Sequence, residues 1–220
     1  MSGRYQLSDH PAAIQAVFRV PAVPVFEPNH DIRPTQSALI VRQSYASDAS
    51  AIDPAARECV VARWGLVPPW AKDIRFGLRC INARAETIDR LPAFRVAFRH
   101  RRCLVPANAY FEWSGAPAQR IKWRIELADT PLFALAGLWE RWVDGATGAT
   151  LDSYAIITCK SGATLAQVHG RMPVILPVER HAQWLDGRGT LRELLVPYPA
   201  ALRLTRLATR DTDELAAEAA

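Results

Sequence analysis

The proline distribution limits what this chain can fold into. Sixteen prolines lie at intervals from Pro11 to Pro199 in a chain of 220 residues. Proline fixes φ and lacks a backbone N–H donor, so it interrupts helices and central strands alike. The distribution therefore favours short strands joined by irregular turns over long helices.

Apolar runs rich in β-branched and aromatic residues predict strands. The predicted strands are SALIVRQ (37–43), ECVVAR (58–63), AYFEW (109–113), QRIKWRIEL (119–127), PLFALAGLW (131–139) and DSYAIITC (152–159). Strands outnumber helices and no regular βα alternation appears, which argues against a doubly wound parallel sheet. We predict an α+β single domain with a mixed, mainly antiparallel, barrel-like β-sheet and flanking short helices.

Helix signals are few and short. A first helix is predicted from near Ser8 to about Phe18, with Pro11 in its first turn. The other predicted helices are PAFRVAFRHR (92–101), VERHAQWLD (178–186) and TLRELL (190–195). Without an internal repeat or a Gly/Ser linker, the domain is expected to span residues 1–210. Residues 211–220 are expected to form an acidic, frayed C-terminal tail.

Composition narrows the class of protein. The chain lacks both an apolar run of about 18 residues and a signal-peptide pattern, which predicts a cytoplasmic protein that does not contact a membrane. Its four cysteines are far apart in sequence and form no CxxC pair. Buried, reduced thiols are therefore expected rather than disulfides or a zinc site, and we expect no metal or other cofactor.

The chain is basic, with a net charge of +5, and 24 of its 27 basic residues are arginine. Arginine offers a planar, bidentate fork for phosphate, which favours a nucleic-acid partner. Codon usage in a G- and C-rich genome explains the same ratio equally well. The run Arg99-His100-Arg101-Arg102 is either a basic patch or a solvated helix end.

Three polar residues stand out among apolar neighbours. Glu112 lies in the predicted strand 109–113, where alternation places it on one face with Tyr110. A carboxylate among aromatic rings is expected to have a raised pKa and to act as a general acid or base, unless it faces solvent. His169, just past a predicted strand and turn, and Asn82, at a predicted strand end, are candidate partners. Either is equally compatible with a structural role.

The chain contains seven tryptophans, most of which are expected in the core. Trp70 differs because it follows Pro68 and Pro69. A loop stiffened by two prolines can hold an indole exposed, as a platform on which an unstacked base can lie.

Four segments resemble the SRAP family, the SOS-response-associated peptidase proteins that shield abasic sites in single-stranded DNA. They are WGLVPPWAKD (64–73), INARAET (81–87), RRCLVPANAYFEW (101–113) and HGRMPVIL (169–176). The resemblance covers roughly residues 2 to 200, and HGRMPVIL and NARAET are its most specific parts.

The resemblance implies a site and a partner. Asn82, Glu112 and His169 would line an active site beside the N-terminus. The residues that would hold the DNA are Arg4, Arg84 and Arg171 on phosphates, and Trp70 and Trp113 against bases or backbone. The implied partner is single-stranded DNA containing abasic sites, bound by a monomer in the cytoplasm near the nucleoid as part of the DNA damage response.

Position 2 departs from the family pattern. Members use a cysteine exposed when the initiator Met is removed, whereas this chain has Ser2. An α-amine has a pKa of about 7.7–8.0, so it can attack an aldehyde to form an imine near neutral pH. A thiol would then close a stable thiazolidine, but a hydroxyl is a far weaker nucleophile. We therefore predict Schiff-base or lyase chemistry without a durable crosslink.

Several alternatives stay open at this point. Ser2 is a natural variant, an engineered change, or a functional nucleophile. A chain with an N-terminal serine could be an autopeptidase, a hydrolase that here would have only Met1 to remove. It could also be a non-covalent module for single-stranded or junction DNA. The plainest alternative is a globular protein whose Asn82, Glu112 and His169 serve only its core.

Overall fold

We describe the protein from a computed structural model, which covers residues 3–44, 56–116 and 119–207. Ser2 and the predicted tail 211–220 lie outside the described residues. The strands are β1 (Arg4–Leu7), β2 (Asn29–Ile32), β3 (Ser37–Gln43), β4 (Arg57–Trp64), β5 (Asn82–Arg84), β6 (Arg102–Ala107), β7 (Ala109–Ser114), β8 (Ile121–Leu127), β9 (Phe133–Val143), β10 (Thr150–Lys160), β11 (Arg171–Pro173), β12 (Ile175–Leu176) and β13 (Leu202–Leu207).

The helices are short. They are α1 (Pro11–Phe18), α2 (Arg95–His100), α3 (Ala163–Ala166) and α4 (His181–Asp186), with 3-10 turns at Ile74–Arg79, Val178–Arg180 and Leu191–Leu194. No helix in the described part of the chain is long and apolar enough to cross a membrane.

Five strands close into a barrel. Strand β4 pairs with β3, β3 with β6, β6 with β9 and β9 with β10, all antiparallel. Strand β10 then pairs in parallel with β4 and closes the ring. Three short strands extend this sheet, because β5 and β11 pair with β10 and β12 pairs with β9. The predicted mixed, mainly antiparallel, barrel-like sheet is confirmed.

A second sheet packs beside the barrel. Its order is β13-β8-β7-β1-β2, and every neighbouring pair is antiparallel. The Tyr5 hydroxyl on β1 and the Tyr154 hydroxyl on β10 share a hydrogen bond of 2.6 Å between fully buried rings. Trp64 packs edge-on to Tyr5 and stacks parallel to Tyr154. The two sheets are therefore joined through one continuous core, as expected of a single domain.

Several predicted bounds needed correction. Helix α1 begins at Pro11 rather than near Ser8, because the His10 side chain caps it by accepting a hydrogen bond from the Ala12 N–H. Helix α2 begins at Arg95, so Pro92 precedes the helix. The segment 178–186 divides into a 3-10 turn and α4, whereas the segment 190–195 forms only a 3-10 turn.

The basic run at 99–102 is partly a structural element. Arg102 is buried, and its guanidinium donates to the Phe98 and Arg99 carbonyls at the end of α2. The same group donates to the Trp184 and Leu185 carbonyls of α4. One arginine thus satisfies the free carbonyls of two helix ends, which removes it from any phosphate-binding patch.

Candidate functional site

Strand β7 buries a carboxylate on its inner face. Tyr110 lies opposite Tyr5 of β1 and Ile125 of β8, and Glu112 lies opposite Trp123. The Glu112 side chain is 2% exposed. The predicted shared face of Tyr110 and Glu112 is therefore present, and the solvent-facing alternative for Glu112 is wrong.

His169, in the segment between α3 and β11, lies beside Glu112. The His169 Nδ1 lies 3.7 Å from the Glu112 Oε2, and the imidazole is about a quarter exposed. The same Nδ1 is 2.8 Å from the Arg171 carbonyl oxygen, to which it donates when protonated. This arrangement combines a buried proton acceptor with a group that reaches solvent, as a proton relay requires. The strand predicted before His169 is present as β10, but helix α3 rather than a short turn alone separates it from His169.

The other polar candidates lie on short strands that pair with β10. Asn82 is largely buried at a strand end as predicted, since it is the first residue of β5, and it lies opposite Ile156 in a parallel pair. Arg84, two residues along, lies opposite Thr158. Arg171 lies opposite Lys160 on the antiparallel pair between β10 and β11. Asn82, Arg84 and Arg171 thus share one end of β10.

Arg171 is held by neighbouring groups. Its Nη1 and Nη2 donate to the two carboxylate oxygens of Glu86 at 3.0 and 2.9 Å. Nη2 also donates to the Thr158 carbonyl at 2.7 Å. The hydrogen bond from Arg171 lowers the pKa of the Glu86 carboxyl below its usual value. Glu86 was not among the sequence candidates, although it stands within the segment INARAET.

Arg4 and Trp113 lie on the opposite face of the second sheet from Glu112. Arg4 is paired with Phe111 in register and forms a 3.0 Å ion pair with Asp31. Its guanidinium is 5.6 Å from the centre of the Trp113 ring. Lys122, opposite Trp113 on β8, adds a second cation 5.9 Å from that ring. The sequence candidates missed Lys122, which strand pairing alone would have revealed.

Trp70 lies on a separate part of the surface. Its side chain is 56% exposed and packs edge-on against Phe76, with 5.0 Å between ring centres. Both rings line an open cavity of about 480 Å³ together with cationic side chains, which are Lys72, Arg75 and Arg79. The 3-10 turn Ile74–Arg79, which contributes Arg79 to the cavity, ends three residues before Asn82 in the sequence.

The four cysteines, Cys59, Cys80, Cys103 and Cys159, are buried and free, in line with the expectation of buried thiols. Burial raises the pKa of Cys159, which lies on β10, to about 11. Burial likewise raises the pKa of Cys80 to about 11 and that of Cys59 to about 12. A thiol with such a pKa is protonated near neutral pH and is a poor nucleophile. None of the four is therefore suited to replace the thiol that position 2 lacks.

The fold, a closed mixed barrel with a flanking antiparallel sheet, is similar to the folds of other proteins of known structure. The chain is similar to a crystal structure of a protein from Bacteroides thetaiotaomicron, with a TM-score of 0.81, 26% identity, and coverage of 95% of this chain and 94% of that one. A protein from Bordetella bronchiseptica gives a TM-score of 0.78 and 26% identity, over 94% of this chain and 99% of that one.

The chain belongs to the SOS response associated peptidase (SRAP) family, whose model matches residues 1–210. It is 38% identical over 180 residues to the abasic site processing protein YoqW of Bacillus subtilis, which covers 80% of this chain and 76% of that protein. It is 30% identical over 192 residues to the abasic site processing protein HMCES of Mus musculus, over 72% of this chain and 53% of that protein.

Proposed function

We propose that this protein recognises abasic sites in single-stranded DNA through the α-amine of residue 2, as part of the DNA damage response. The observation that carries this proposal is the buried Glu112 carboxylate beside His169, at the level where β1 begins. The names of the relatives YoqW and HMCES, both abasic site processing proteins, support the same substrate.

The register of β1 supports the role of the chain terminus. Arg4 lies opposite Phe111 in an antiparallel pair, so continuing this register by one step beyond β1 would set Gly3 across from Glu112. Residue 2 is covalently joined to Gly3, so its amine would enter the region of Glu112 and His169. Removal of Met1 exposes that amine in this proposal.

The chemistry begins with an imine. The neutral amine nitrogen attacks the aldehyde carbon of the ring-opened sugar. The nitrogen then gives up a proton and the former carbonyl oxygen takes one up, which gives a carbinolamine. Loss of water, helped by a second proton, then forms the C=N bond. Glu112 and His169 supply and collect these protons, while the Asn82 amide orients the amine.

Ser2 determines what happens to that imine. Its hydroxyl does not close a lasting ring, so water reverses the imine or the adjacent sugar carbon loses a proton. In the second case the 3′ phosphate leaves by β-elimination and the strand is cut. The proposed activity is therefore a reversible Schiff base with lyase character, in a monomer acting in the cytoplasm near nucleoid DNA.

The proposed DNA path uses cations and exposed rings. Arg84 and Arg171 at the end of β10, and Arg4 on β1, would contact phosphates. Trp70 and Trp113 would pack against bases flanking the lesion, with Lys72, Arg79 and Lys122 adding positive charge near these rings.

Borohydride trapping tests this activity. The protein and its Ser2→Cys variant are incubated with abasic single-stranded DNA, with and without borohydride. We expect a covalent product from the unmodified protein only after reduction, and from Ser2→Cys without reduction. A product of the unmodified protein that survives heat without reduction would contradict the role given to Ser2. No product from either protein would contradict the abasic-site proposal.

A second candidate is a non-covalent module for single-stranded DNA. The exposed Trp70 beside Lys72 and Arg79 favours it, because a platform with cations suffices for binding without chemistry. Acetylation of the α-amine distinguishes the two candidates. The module predicts unchanged, salt-dependent binding and no trapped product even before acetylation, whereas the lyase loses its trapped product on acetylation.

A further inference from the structure

The two partners of the ion pair between Arg171 and Glu86 differ in their exposure to solvent. The Arg171 side chain is 17% exposed, whereas the Glu86 side chain is 42% exposed. Arg171 is also anchored on its other side by the Thr158 carbonyl and hydroxyl oxygens, at 2.7 and 3.3 Å. The guanidinium therefore has a fixed direction, and the carboxylate is the partner that can turn away into solvent.

A carboxylate and a phosphodiester present similar faces to a guanidinium. Each offers two oxygens that accept parallel N–H bonds from one arginine fork. Glu86 makes both of these bonds in the structure, so it covers the face of Arg171 that would meet a phosphate. The same arginine cannot hold both groups in this way at once.

The surroundings favour an anion where Glu86 now lies. Arg84 is exposed on β5 and Lys160 is exposed at the end of β10, opposite Arg171 in register. Lys160 and Arg171 act electrostatically on the Glu86 carboxyl and help to keep its pKa low. When the Glu86 carboxylate turns away, its negative charge no longer offsets the positive charges of three neighbouring residues, which are Arg84, Lys160 and Arg171.

We propose that Glu86 sets the DNA affinity of this protein by occupying the phosphate-binding face of Arg171 until a phosphodiester displaces it. The inference rests on the proposed function, because it takes Arg171 as a phosphate contact. It adds a residue that opposes DNA binding within the site. An entering strand has to break two charge-assisted hydrogen bonds before it gains two of its own.

The consequence is measurable in affinity and in salt dependence. In Glu86→Gln the neutral amide competes poorly for Arg171, so a phosphodiester meets less opposition and binds more tightly. The liberated carboxylate of the unmodified protein attracts a cation from solution on DNA binding, and the variant does not. The slope of log K against log salt should therefore become steeper, by up to about one.

Fluorescence anisotropy with a labelled single-stranded oligonucleotide tests the inference. The oligonucleotide carries a tetrahydrofuran abasic analogue, which has no aldehyde and so reports binding alone. We expect Glu86→Gln to bind about tenfold more tightly at low salt, and Arg171→Gln to bind more weakly than the unmodified protein. In the double variant, Glu86→Gln should no longer increase the DNA affinity, because the Arg171 guanidinium that Glu86 covers is absent.

Asp89→Asn is the matched control. Asp89 lies three residues further along, makes an ion pair with Arg192 instead, and its substitution changes the net charge by the same amount. We expect less than a twofold change in affinity from this variant. Thermal unfolding of each variant shows that the comparison is made between folded proteins.

The outcomes separate the inference from the proposed function. Weaker or unchanged binding by Glu86→Gln would overturn the inference, since Glu86 would then merely hold Arg171 in place. An equal gain from Asp89→Asn, a gain that persists without Arg171, or no loss in Arg171→Gln would overturn it as well. If neither the unmodified protein nor Glu86→Gln binds the oligonucleotide, the proposed function fails too.

Discussion

Two arginine clusters in this molecule differ in what surrounds them. On the barrel wall, Arg42 of β3 is 4% exposed, with Nε donating to Glu58 at 2.6 Å and Nη1 to Asp152 at 2.9 Å. Arg141 completes the cluster by donating twice to Asp152. At the end of β10, Arg171 has a comparable pairing with Glu86, but the carboxylate faces solvent and exposed Arg84 lies nearby.

The difference shows why arginine content alone does not locate a phosphate site. The Arg42 guanidinium also lies 3.9 Å from the Trp139 ring centre, so strands and an indole enclose it. Removal of a charge enclosed in this way destabilises the fold, because its partners lose their counter-charge, and no ligand can reach it. A charge whose only removable partner is exposed can exchange that partner for another anion. The following predictions test this distinction between enclosed charges and charges whose partner is exposed.

The largest effect is expected from the enclosed cluster. In Arg42→Ala the half-buried carboxylates of Glu58 and Asp152 lose a charged partner. This costs at most what breaking a fully buried ion pair costs, which is about 3–5 kcal/mol of unfolding free energy. Urea unfolding measures this loss. Affinity for the oligonucleotide should stay the same below the unfolding transition. A loss of affinity in the folded variant would contradict a purely structural role for Arg42.

A second enclosed group should respond to pH. His181 is buried against Phe18 with 5.5 Å between ring centres, and its Nε2 lies 3.2 Å from the Leu176 carbonyl oxygen. Burial lowers the pKa of His181 from 6.5 to about 4, with nearby arginines acting in the same direction. Above pH 6.5 both folded and unfolded states keep the ring neutral. Below that, only the unfolded state gains the proton.

Stability should therefore fall as the pH falls from about 6.5 towards 4, by on the order of 2–3 kcal/mol from this residue. Urea unfolding at pH 7, 5.5 and 4.5 measures the fall. In His181→Gln the dependence over this interval should be shallower, relative to the unmodified protein. An identical dependence in both proteins would show that other groups cause it.

The smallest effect on stability is expected at the open cluster. Arg84 is exposed on β5 and makes no ion pair with another described residue. Arg84→Gln should change the unfolding free energy by less than about 0.5 kcal/mol. It should still weaken oligonucleotide binding several-fold, with a salt slope reduced by about one. Unchanged affinity would remove Arg84 from the proposed DNA path.

Much of the fold could be predicted from local patterns. The strand SALIVRQ has the predicted bounds, Ser37–Gln43, because its apolar run is flanked by polar residues in the sequence. Strand β6 escaped prediction, since Pro106 interrupts its pattern and burial on both faces removes alternation. The four-residue strand β1 was too short to show a period. Its existence depends on pairing with β7, which is more than 100 residues away.

The candidate site was predicted in part. Alternation placed Glu112 on one face with Tyr110 but left its burial open, and the family resemblance supplied His169, Asn82 and Arg171 as further site residues. The pairing of Arg171 with Glu86 could not be foreseen, because it depends on the register of β5 and β11 on either side of Thr158. The structural use of Arg102 likewise depends on two helix ends that meet only in the folded chain.

Identifying the residue that carries the reduced adduct shows whether the α-amine of Ser2 reacts with the abasic site. The unmodified protein is incubated with abasic single-stranded DNA and borohydride, then digested and examined by mass spectrometry. We expect a sugar remnant on the α-amine of Ser2, and a strongly reduced yield in Glu112→Gln, because an amide does not act as a general acid or base near neutral pH. An adduct on a lysine side chain, or an undiminished yield in Glu112→Gln, would contradict this expectation.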